Sequence, residues 1–197
     1  MCYISLHPDG RQATLRALSY QLGDYGGGND ITSEAMHYAF RSNELTGENT
    51  MLEKHLPNIL DAKDMNDLVG KFYPDTDPEM DSKMKKVPPL IFELAAMGDT
   101  VCQDILIKMG TILGRMTSRV IKSLNMESME IPIVIGGSVF HGNNPLLQDA
   151  YTLTIHKTAP KAYIIIPKAS PVIGAFLYGL DELKIEITNE IYENLLN

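Results

Sequence analysis

The sequence predicts an α/β fold, and three observations predict it. Two short β-branched runs near the C-terminus, residues 131–135 and 162–166, carry no charged side chain, which is typical of buried strands. Each run is followed by a helical pattern, and strands that alternate with helices over short connections form parallel sheets. A long amphipathic helix is predicted from Asp99 to about Leu124, because its apolar residues recur three and four positions apart.

The other elements follow from turn chemistry and periodicity. Residues 1–22 alternate toward two strands around Pro8-Asp9-Gly10, which predicts a hairpin. The sequence therefore divides into this hairpin, a helical region of residues 29–125 and a βαβα unit of residues 131–197. We expect the hairpin and the two late strands to form one mixed sheet. Shorter helices are predicted at residues 31–43, 51–60, 65–72, 88–97, 145–156 and 172–183, with a helical tail at 188–196.

Composition limits the classes of function. The chain has 197 residues, of which 44% are apolar, so one domain with a substantial core is expected. Its formal charge of −8 argues against a general nucleic-acid binder and against docking on an anionic membrane. No secretory signal or spanning segment is recognised, so a cytoplasmic protein is expected. Cys2 and Cys102 have no ligand-like spacing and are predicted to be reduced thiols.

The first candidate site is the end of the strand at residues 131–135. Gly136 and Gly137 stop the strand, and Ser138 follows them. Glycines at such a strand end let a ligand approach the backbone, whose free N–H groups favour an anion or a polar heterocycle. A plain turn from strand to loop explains the two glycines equally well, and no Gly-Lys-Ser/Thr follows as it would in a Walker loop.

The second candidate is the glycine-rich segment around Gly23 and Asp24. A carboxylate in such a loop before a helix accepts hydrogen bonds either from sugar hydroxyls or from the helix N-terminus, and the pattern alone favours capping. The five histidines show no metal-ligand spacing, so no metal site is predicted.

Four motifs, in this order, resemble one family. They cover nearly the whole chain and are Leu22-Gly23-Asp24-Tyr25-Gly26-Gly27, Glu93-Leu94-Ala95-Ala96-Met97-Gly98-Asp99, Ile133-Val134-Ile135-Gly136-Gly137-Ser138-Val139-Phe140 and Pro171-Val172-Ile173-Gly174-Ala175. The family is that of the BadF/BadG/BcrA/BcrD-type ATPases. The absence of a cysteine cluster favours its N-acetylglucosamine kinase branch over its iron–sulfur activator branch.

The resemblance implies an RNase H-like fold of the actin/hexokinase/Hsp70 superfamily, of which this chain is the C-terminal lobe with a helical insertion. It implies ATP with Mg²⁺ as cofactor, adenosine near Gly136, Gly137 and Ser138, and a sugar near Gly23 and Asp24. The family's N-terminal lobe, both phosphate loops and the catalytic Asp have no counterpart in these residues. We therefore expect a chain that is inactive alone, with Mg²⁺ ligands mostly outside it and a missing lobe or a homodimer partner.

The chain also departs from the family pattern. Tyr25 replaces the family's Glu, and Ala17-Leu18-Ser19-Tyr20 replaces a Gly-Trp-Gly-His pattern whose aromatic residue helps to hold the sugar. These substitutions leave a second hypothesis open, namely a nucleotide- or sugar-binding module without catalysis that pairs with another chain.

Overall fold

A computed structural model describes residues 3–72, 79–142, 144–167, 170–188, 191–192 and 195. Cys2, and most of the predicted helical tail after Thr188, lie outside the described residues. The strands are β1 (Tyr3–Leu6), β2 (Gln12–Leu15), β3 (Pro132–Val134) and β4 (Tyr163–Ile165). The helices are α1 (Gly28–Asn43), α2 (Leu52–Ile59), α3 (Met65–Phe72), α4 (Met80–Met84), α5 (Val87–Ala96), α6 (Thr100–Ser123), α7 (Leu146–His156) and α8 (Pro171–Glu182).

The long amphipathic helix that periodicity predicts is α6, and it lies at the centre of the core. It has 24 residues and packs against α1, α5, α7 and β1. The carboxylate of Asp99 caps its N-terminus by accepting from the backbone N–H of Cys102 at 2.9 Å. The same carboxylate accepts from Thr50 Oγ1 at 2.8 Å and from the N–H of Met51 at 2.6 Å. One buried acid thus fixes the start of α6 to the segment that leads into α2.

Two glycines bring α6 and α7 into close contact. A Cβ on Gly110 would lie 2.2 Å from the carbonyl oxygen of Leu147, and one on Gly114 would lie 2.7 Å from Cβ of Thr154. Only glycine lets the two backbones approach this closely. Beside this contact, Thr117 Oγ1 and Tyr151 Oη hydrogen-bond at 2.9 Å across the same two helices.

The strands form two separate sheets in the described residues, so the expected single mixed sheet is wrong. Strands β1 and β2 pair antiparallel, with Tyr3 opposite Leu15. Strands β3 and β4 pair parallel, with Ile133 opposite Ile164, as the alternation of strands and helices predicts. A cavity of about 250 Å³ lies between β1 and β3 above α6, and we call it the β1–β3 cleft.

The strands are also less buried than their composition predicts. Both β3 and β4 expose their first and third residues, and Val134 is 64% exposed. The helix that follows β4, α8, buries none of its residues. A charge-free run predicts a strand covered on both faces, but in the described residues no element covers the outer face of these strands.

Most predicted helices are present, with small shifts at their ends. Helix α1 begins at Gly28 rather than at residue 31, because Asp30 accepts from the N–H groups of Gly26 and Gly27 and so holds the preceding loop. Among the described residues, no helix is both long and apolar enough to cross a membrane.

Candidate functional site

The turn after β3 separates two cavities. Gly137 has φ 112° and ψ 150°, a conformation that side-chain-bearing residues rarely adopt, so glycine is required there for the backbone itself. A Cβ on Gly136 would meet no atom within 4 Å. Gly136 faces the β1–β3 cleft, whereas Ser138 lines a second cavity on the other side of the turn.

The second cavity lies between the N-terminus of α1, one face of α5 and the turn that starts at Ser138. Its volume is about 660 Å³, and we call it the α1–α5 cavity. Met84, Pro88, Pro89, Phe92 and Val139 supply apolar walls. Polar groups at its edge come from Asn29, Thr32, Lys85, Glu93, Ser138 and His141.

Close packing fixes the walls of the α1–α5 cavity. A Cβ on Gly142 would lie 2.4 Å from Cε1 of Phe92, so the chain after Ser138 lies directly on that ring. A Cβ on Gly28 would lie 3.4 Å from Cγ of Pro88, which places the start of α1 against the start of α5. Thr32 Oγ1 donates to the carbonyl oxygen of Met84 at 3.5 Å. The cavity is therefore held open by contacts among three segments that are distant in sequence.

The size and chemistry of this cavity suit a small aromatic ligand with polar edges. Ligand cavities typically have volumes of about 300–1,000 Å³, apolar walls and a few polar groups. Proline and phenylalanine side chains offer flat apolar surfaces to a heterocycle, and hydroxyl and amide side chains such as Ser138 and Asn29 offer hydrogen bonds.

The glycine-rich loop before α1 contains two carboxylates with different surroundings. Asp30 Oδ2 accepts from the N–H of Gly26 at 2.8 Å and from that of Gly27 at 3.0 Å, so Asp30 holds the loop in place. Asp24 follows a tight turn, in which its N–H donates to the carbonyl oxygen of Ser19 at 3.0 Å and Gly23 has φ 89°. Capping near the start of α1 is thus the role of Asp30.

The carboxylate of Asp24 acts electrostatically on Tyr3 in β1. Burial raises the pKa of the Tyr3 hydroxyl, and the nearby Tyr151 and Asp24 raise it further. Tyr3 and Tyr151 both line the β1–β3 cleft. Asp24 therefore lies near the same cleft that Gly136 faces, while Ser138 lies in the other cavity.

Tyr25, the residue that departs from the family pattern, is part of the core. Its side chain is buried, and its hydroxyl has no hydrogen-bond partner among the described residues. Burial, followed by the charges of Glu34 and Asp30, raises the pKa of that hydroxyl.

Sequence reasoning missed the helix-borne walls of the α1–α5 cavity, above all Pro88 and Phe92 of α5. The Pro88-Pro89 pair was readable only as a helix start, since its distance from Ser138 depends on the tertiary fold. In the described part of the chain, no three His, Cys, Asp or Glu side chains come together as a metal site requires.

The amino-acid sequence of this chain is similar to those of two sugar kinases. No protein-family model matches the chain. It is 30% identical to an N-acetyl-D-glucosamine kinase of Dictyostelium discoideum over 166 residues. These residues make up 83% of this chain and 51% of that relative. Over 184 residues it is 27% identical to an N-acetylmuramic acid/N-acetylglucosamine kinase of Clostridium acetobutylicum, covering 92% of this chain and 58% of that relative. The chain spans about half the length of the curated relatives it matches.

Proposed function

We propose that this chain is part of an ATP-dependent sugar kinase resembling N-acetylglucosamine kinase, of the BadF/BadG/BcrA/BcrD type. In this proposal the chain supplies the adenosine site and part of the sugar site, as a C-terminal lobe of RNase H-like fold. The single observation that carries it is the α1–α5 cavity, which opens beside Ser138 at the end of β3 in a chain similar to two amino-sugar kinases. Ligands of α/β proteins bind at the carboxyl ends of strands.

The lining of the α1–α5 cavity supports adenosine as the ligand, and among the described residues no group of three metal-ligating side chains offers a magnesium site. The α1–α5 cavity offers the apolar walls and the edge hydroxyls that a purine nucleoside needs, with Ser138 and the N-terminus of α1 at its rim. ATP supplies the phosphoryl group, and the chain's own part is to bind and orient the nucleoside. Because the described residues contain no group of metal-ligating side chains, we assign no step to Mg²⁺ on this chain.

Nucleotide binding is tested by thermal melts with ATP, ADP and adenosine at millimolar concentration. The wild type should gain about 1 kcal/mol if its Kd is a few-fold below the ligand concentration. Ser138→Trp and Ala96→Trp put a large ring into the α1–α5 cavity and should abolish the gain with adenosine, the ligand that carries no phosphate. Met97→Trp is the matched control, since Met97 is the next residue, is exposed and does not line the cavity.

Gly137→Val cannot serve this test. At φ 112° a valine is strained, so the variant would lose stability for a reason unrelated to the ligand. Gly136→Val is free of that strain and faces the β1–β3 cleft, so it should keep the gain with nucleotide. Absence of any nucleotide shift in the wild type, or equal loss in Met97→Trp, would contradict an adenosine site in the α1–α5 cavity.

The sugar is proposed to bind near Gly23 and Asp24, whose carboxylate acts on Tyr3 in the β1–β3 cleft. A carboxylate accepts hydrogen bonds from sugar hydroxyls, and losing one such bond costs about 1.5–3 kcal/mol, or roughly ten- to a hundredfold in affinity. Asp24→Ala should weaken N-acetylglucosamine binding, followed by NMR titration, with a small change in melting temperature. Asp30→Ala should instead lower the melting temperature, because Asp30 holds the loop. If Asp24→Ala lowered only the melting temperature, Asp24 would have a structural role.

Catalysis by these 197 residues alone is not part of the proposal. Phosphoryl transfer depends on positioning and on neutralising the phosphate charge, and the printed sequence contains neither the Asp-Gly-Gly-Thr nor the Gly-Thr-Gly-Ser loop of the family. We expect no ADP release above background in a coupled assay with ATP, Mg²⁺ and N-acetylglucosamine. Steady turnover, with contaminating kinases removed, would contradict this expectation.

The alternative function is a nucleotide- or sugar-binding module that pairs with another chain or with a second copy of itself. The observation that favours it is the β1–β3 cleft, a cavity of about 250 Å³ lined by two strands that belong to different sheets in the described residues. Gel filtration of the 197 residues at micromolar concentrations distinguishes a homodimer from a monomer. Adding the other half of a related kinase in trans tests whether the pair regains turnover.

A further inference from the structure

A basic groove runs between α6 and α7, on a surface that the proposed kinase site does not use. Its volume is about 380 Å³, and we call it the α6–α7 groove. Four cationic side chains line it, and no carboxylate does. They are Arg115, Arg119, Lys122 and Lys157. The chain as a whole has a formal charge of −8, so this local excess of positive charge needs a physical explanation.

The four cations are without ionic partners in the part of the chain that the structure describes. The ion pairs of Arg11, Lys83 and Lys108 lie elsewhere. Arg115 and Arg119 are one helical turn apart, about 6 Å along α6, and like charges at this spacing repel each other. The pair therefore destabilises α6 in the free protein, and an anion bound between the two guanidinium groups removes that repulsion.

An independent observation comes from Ser118. This residue is 7% exposed and lines the α6–α7 groove, and its Oγ has no hydrogen-bond partner among the described residues. A buried hydroxyl without a partner is uncommon, because leaving it unpaired costs free energy. Many helical serines donate to the carbonyl four residues earlier, but this one does not. A ligand oxygen in the groove would give the hydroxyl its missing partner.

The groove has fixed walls. Gly110 and Gly114 hold α6 against α7 at backbone contact, and Thr154 Oγ1 donates to the carbonyl oxygen of Ala150 at 2.7 Å. The side chains of Thr111, Thr154 and Thr158 complete the lining. The guanidinium groups thus project from α6 and the hydroxyl groups from both α6 and the α7 side, and packing sets the separation of the two helices.

We propose that the α6–α7 groove binds a small phosphorylated anion, either a diphosphate or a phosphate monoester, with Arg115, Arg119 and Ser118 as its principal contacts. Guanidinium forks bind phosphate oxygens in pairs of parallel hydrogen bonds, and two forks one turn apart match one phosphate or two adjacent ones. Lys122 and Lys157 add positive charge to the lining of the groove. The volume suits a small molecule, and the short row of cations on one helix face is less than an extended nucleic acid requires.

Inorganic pyrophosphate is the probe, titrated by calorimetry into the 197-residue chain in 50 mM and 300 mM salt. The wild type should bind it, and the Arg115→Gln/Arg119→Gln double variant should bind at least tenfold more weakly. Ser118→Ala should weaken binding several-fold without a change in fold, since alanine removes only the unpartnered hydroxyl. The charge-matched control is Arg16→Gln/Lys161→Gln, two exposed cations outside the groove, which should bind as the wild type does.

A second pair of measurements separates this groove from the α1–α5 cavity. Ser138→Trp should keep pyrophosphate binding while it loses the adenosine-dependent rise in melting temperature, because adenosine has no phosphate for the groove to bind. The proposal is overturned if 5 mM pyrophosphate is not bound, if both double variants lose affinity equally, or if Ser118→Ala binds as the wild type does. It is also overturned if a single-stranded RNA binds more tightly than pyrophosphate at equal phosphate concentration, because the groove would then recognise a nucleic acid.

Discussion

The helical body, which consists of helices α1–α7, differs from β3, β4 and α8 in how many of its residues are buried. Helix α6 buries twelve of its 24 residues, whereas none of the residues of α8 is buried. Yet α8 has the more apolar sequence, with Val172, Phe176 and Tyr178 all exposed. The helical body thus has the neighbours that it needs within this chain, and the outer faces of β3, β4 and α8 do not have them in the described residues.

This difference shows where the chain is self-sufficient. Burial of apolar surface is the main favourable contribution to folding, so an element that buries little depends on something else for its order. A contiguous exposed apolar surface commonly marks an interaction site. The proposed kinase explains this surface if the rest of the enzyme packs there. The difference in burial between α6 and α8 can be tested directly.

The largest expected effect is in amide hydrogen exchange. Amides in the middle of α6 should exchange only on global unfolding, and those of α8 should exchange through local opening. We expect protection factors at least about a thousandfold higher in α6 than in α8, since opening free energies range from near zero to the global stability. Mass spectrometry of peptides from the two helices measures this ratio. Equal protection would mean that α8 has a covering partner in solution.

The second largest effect is the loss of stability when a leucine is replaced by alanine, which should differ between α6 and the end of α8. Leu106 in α6 is 0% exposed, and Leu106→Ala should lower the free energy of unfolding by about 2–5 kcal/mol. Leu183, at the end of α8, is 71% exposed, and Leu183→Ala should change it by less than about 0.5 kcal/mol. Urea denaturation measures both values. A loss above 2 kcal/mol in Leu183→Ala would show that α8 is covered.

A third test uses two helical glycines and expects effects of opposite sign. The Cβ of Gly110→Ala would lie 2.2 Å from the carbonyl oxygen of Leu147, so α7 must move and stability should fall by about 1–3 kcal/mol. Gly174→Ala in α8 meets no atom within 4 Å and should gain up to about 1 kcal/mol from helix propensity. Thermal melts of the two variants beside the wild type give the signs. Loss of stability in both would mean that Gly174 also faces a neighbour.

The same contrast explains what the sequence could predict. The bounds of helix α6 were predicted to within a residue, because periodicity is a local signal. The exposure of Val134 was not, because a charge-free run tells that a strand is apolar but not which element covers it. The single mixed sheet failed for the same reason.

The candidate site shows the same difference between local sequence signals and long-range packing. Gly136, Gly137 and Ser138 were predicted as a nucleotide site from a strand that ends in glycines, which is a local pattern, and of the three only Ser138 lines the α1–α5 cavity. The positive φ of Gly137 and the walls that Pro88 and Phe92 contribute depend on long-range packing. For Asp24 the pattern favoured capping, and only the hydrogen bonds in the structure show that Asp30 holds the start of α1.

The smallest expected effect is a pH dependence of the free energy of unfolding that comes from Cys102 in α6. Burial, with a further contribution from Asp99, raises the pKa of the Cys102 thiol above its ordinary value of 9.0. In the unfolded chain this thiol ionises near pH 9, while in the folded chain it stays protonated. The unfolded state then binds fewer protons, so the stability that is present below pH 9 is lost as the pH rises. Between pH 8 and 10 the loss from this group should be about 1 kcal/mol.

Two variants isolate that contribution. Urea denaturation at pH 8, 9 and 10 should show a shallower decline for Cys102→Ala than for the wild type, whatever the stability of the variant at pH 8. Val172→Cys is the control, because residue 172 is 71% exposed and a thiol there should ionise alike in the folded and unfolded chains. It should therefore leave the decline unchanged. If Cys102→Ala declined as steeply as the wild type, the thiol would already reach solvent in the folded state, and the helical body would be less closed than its packing indicates.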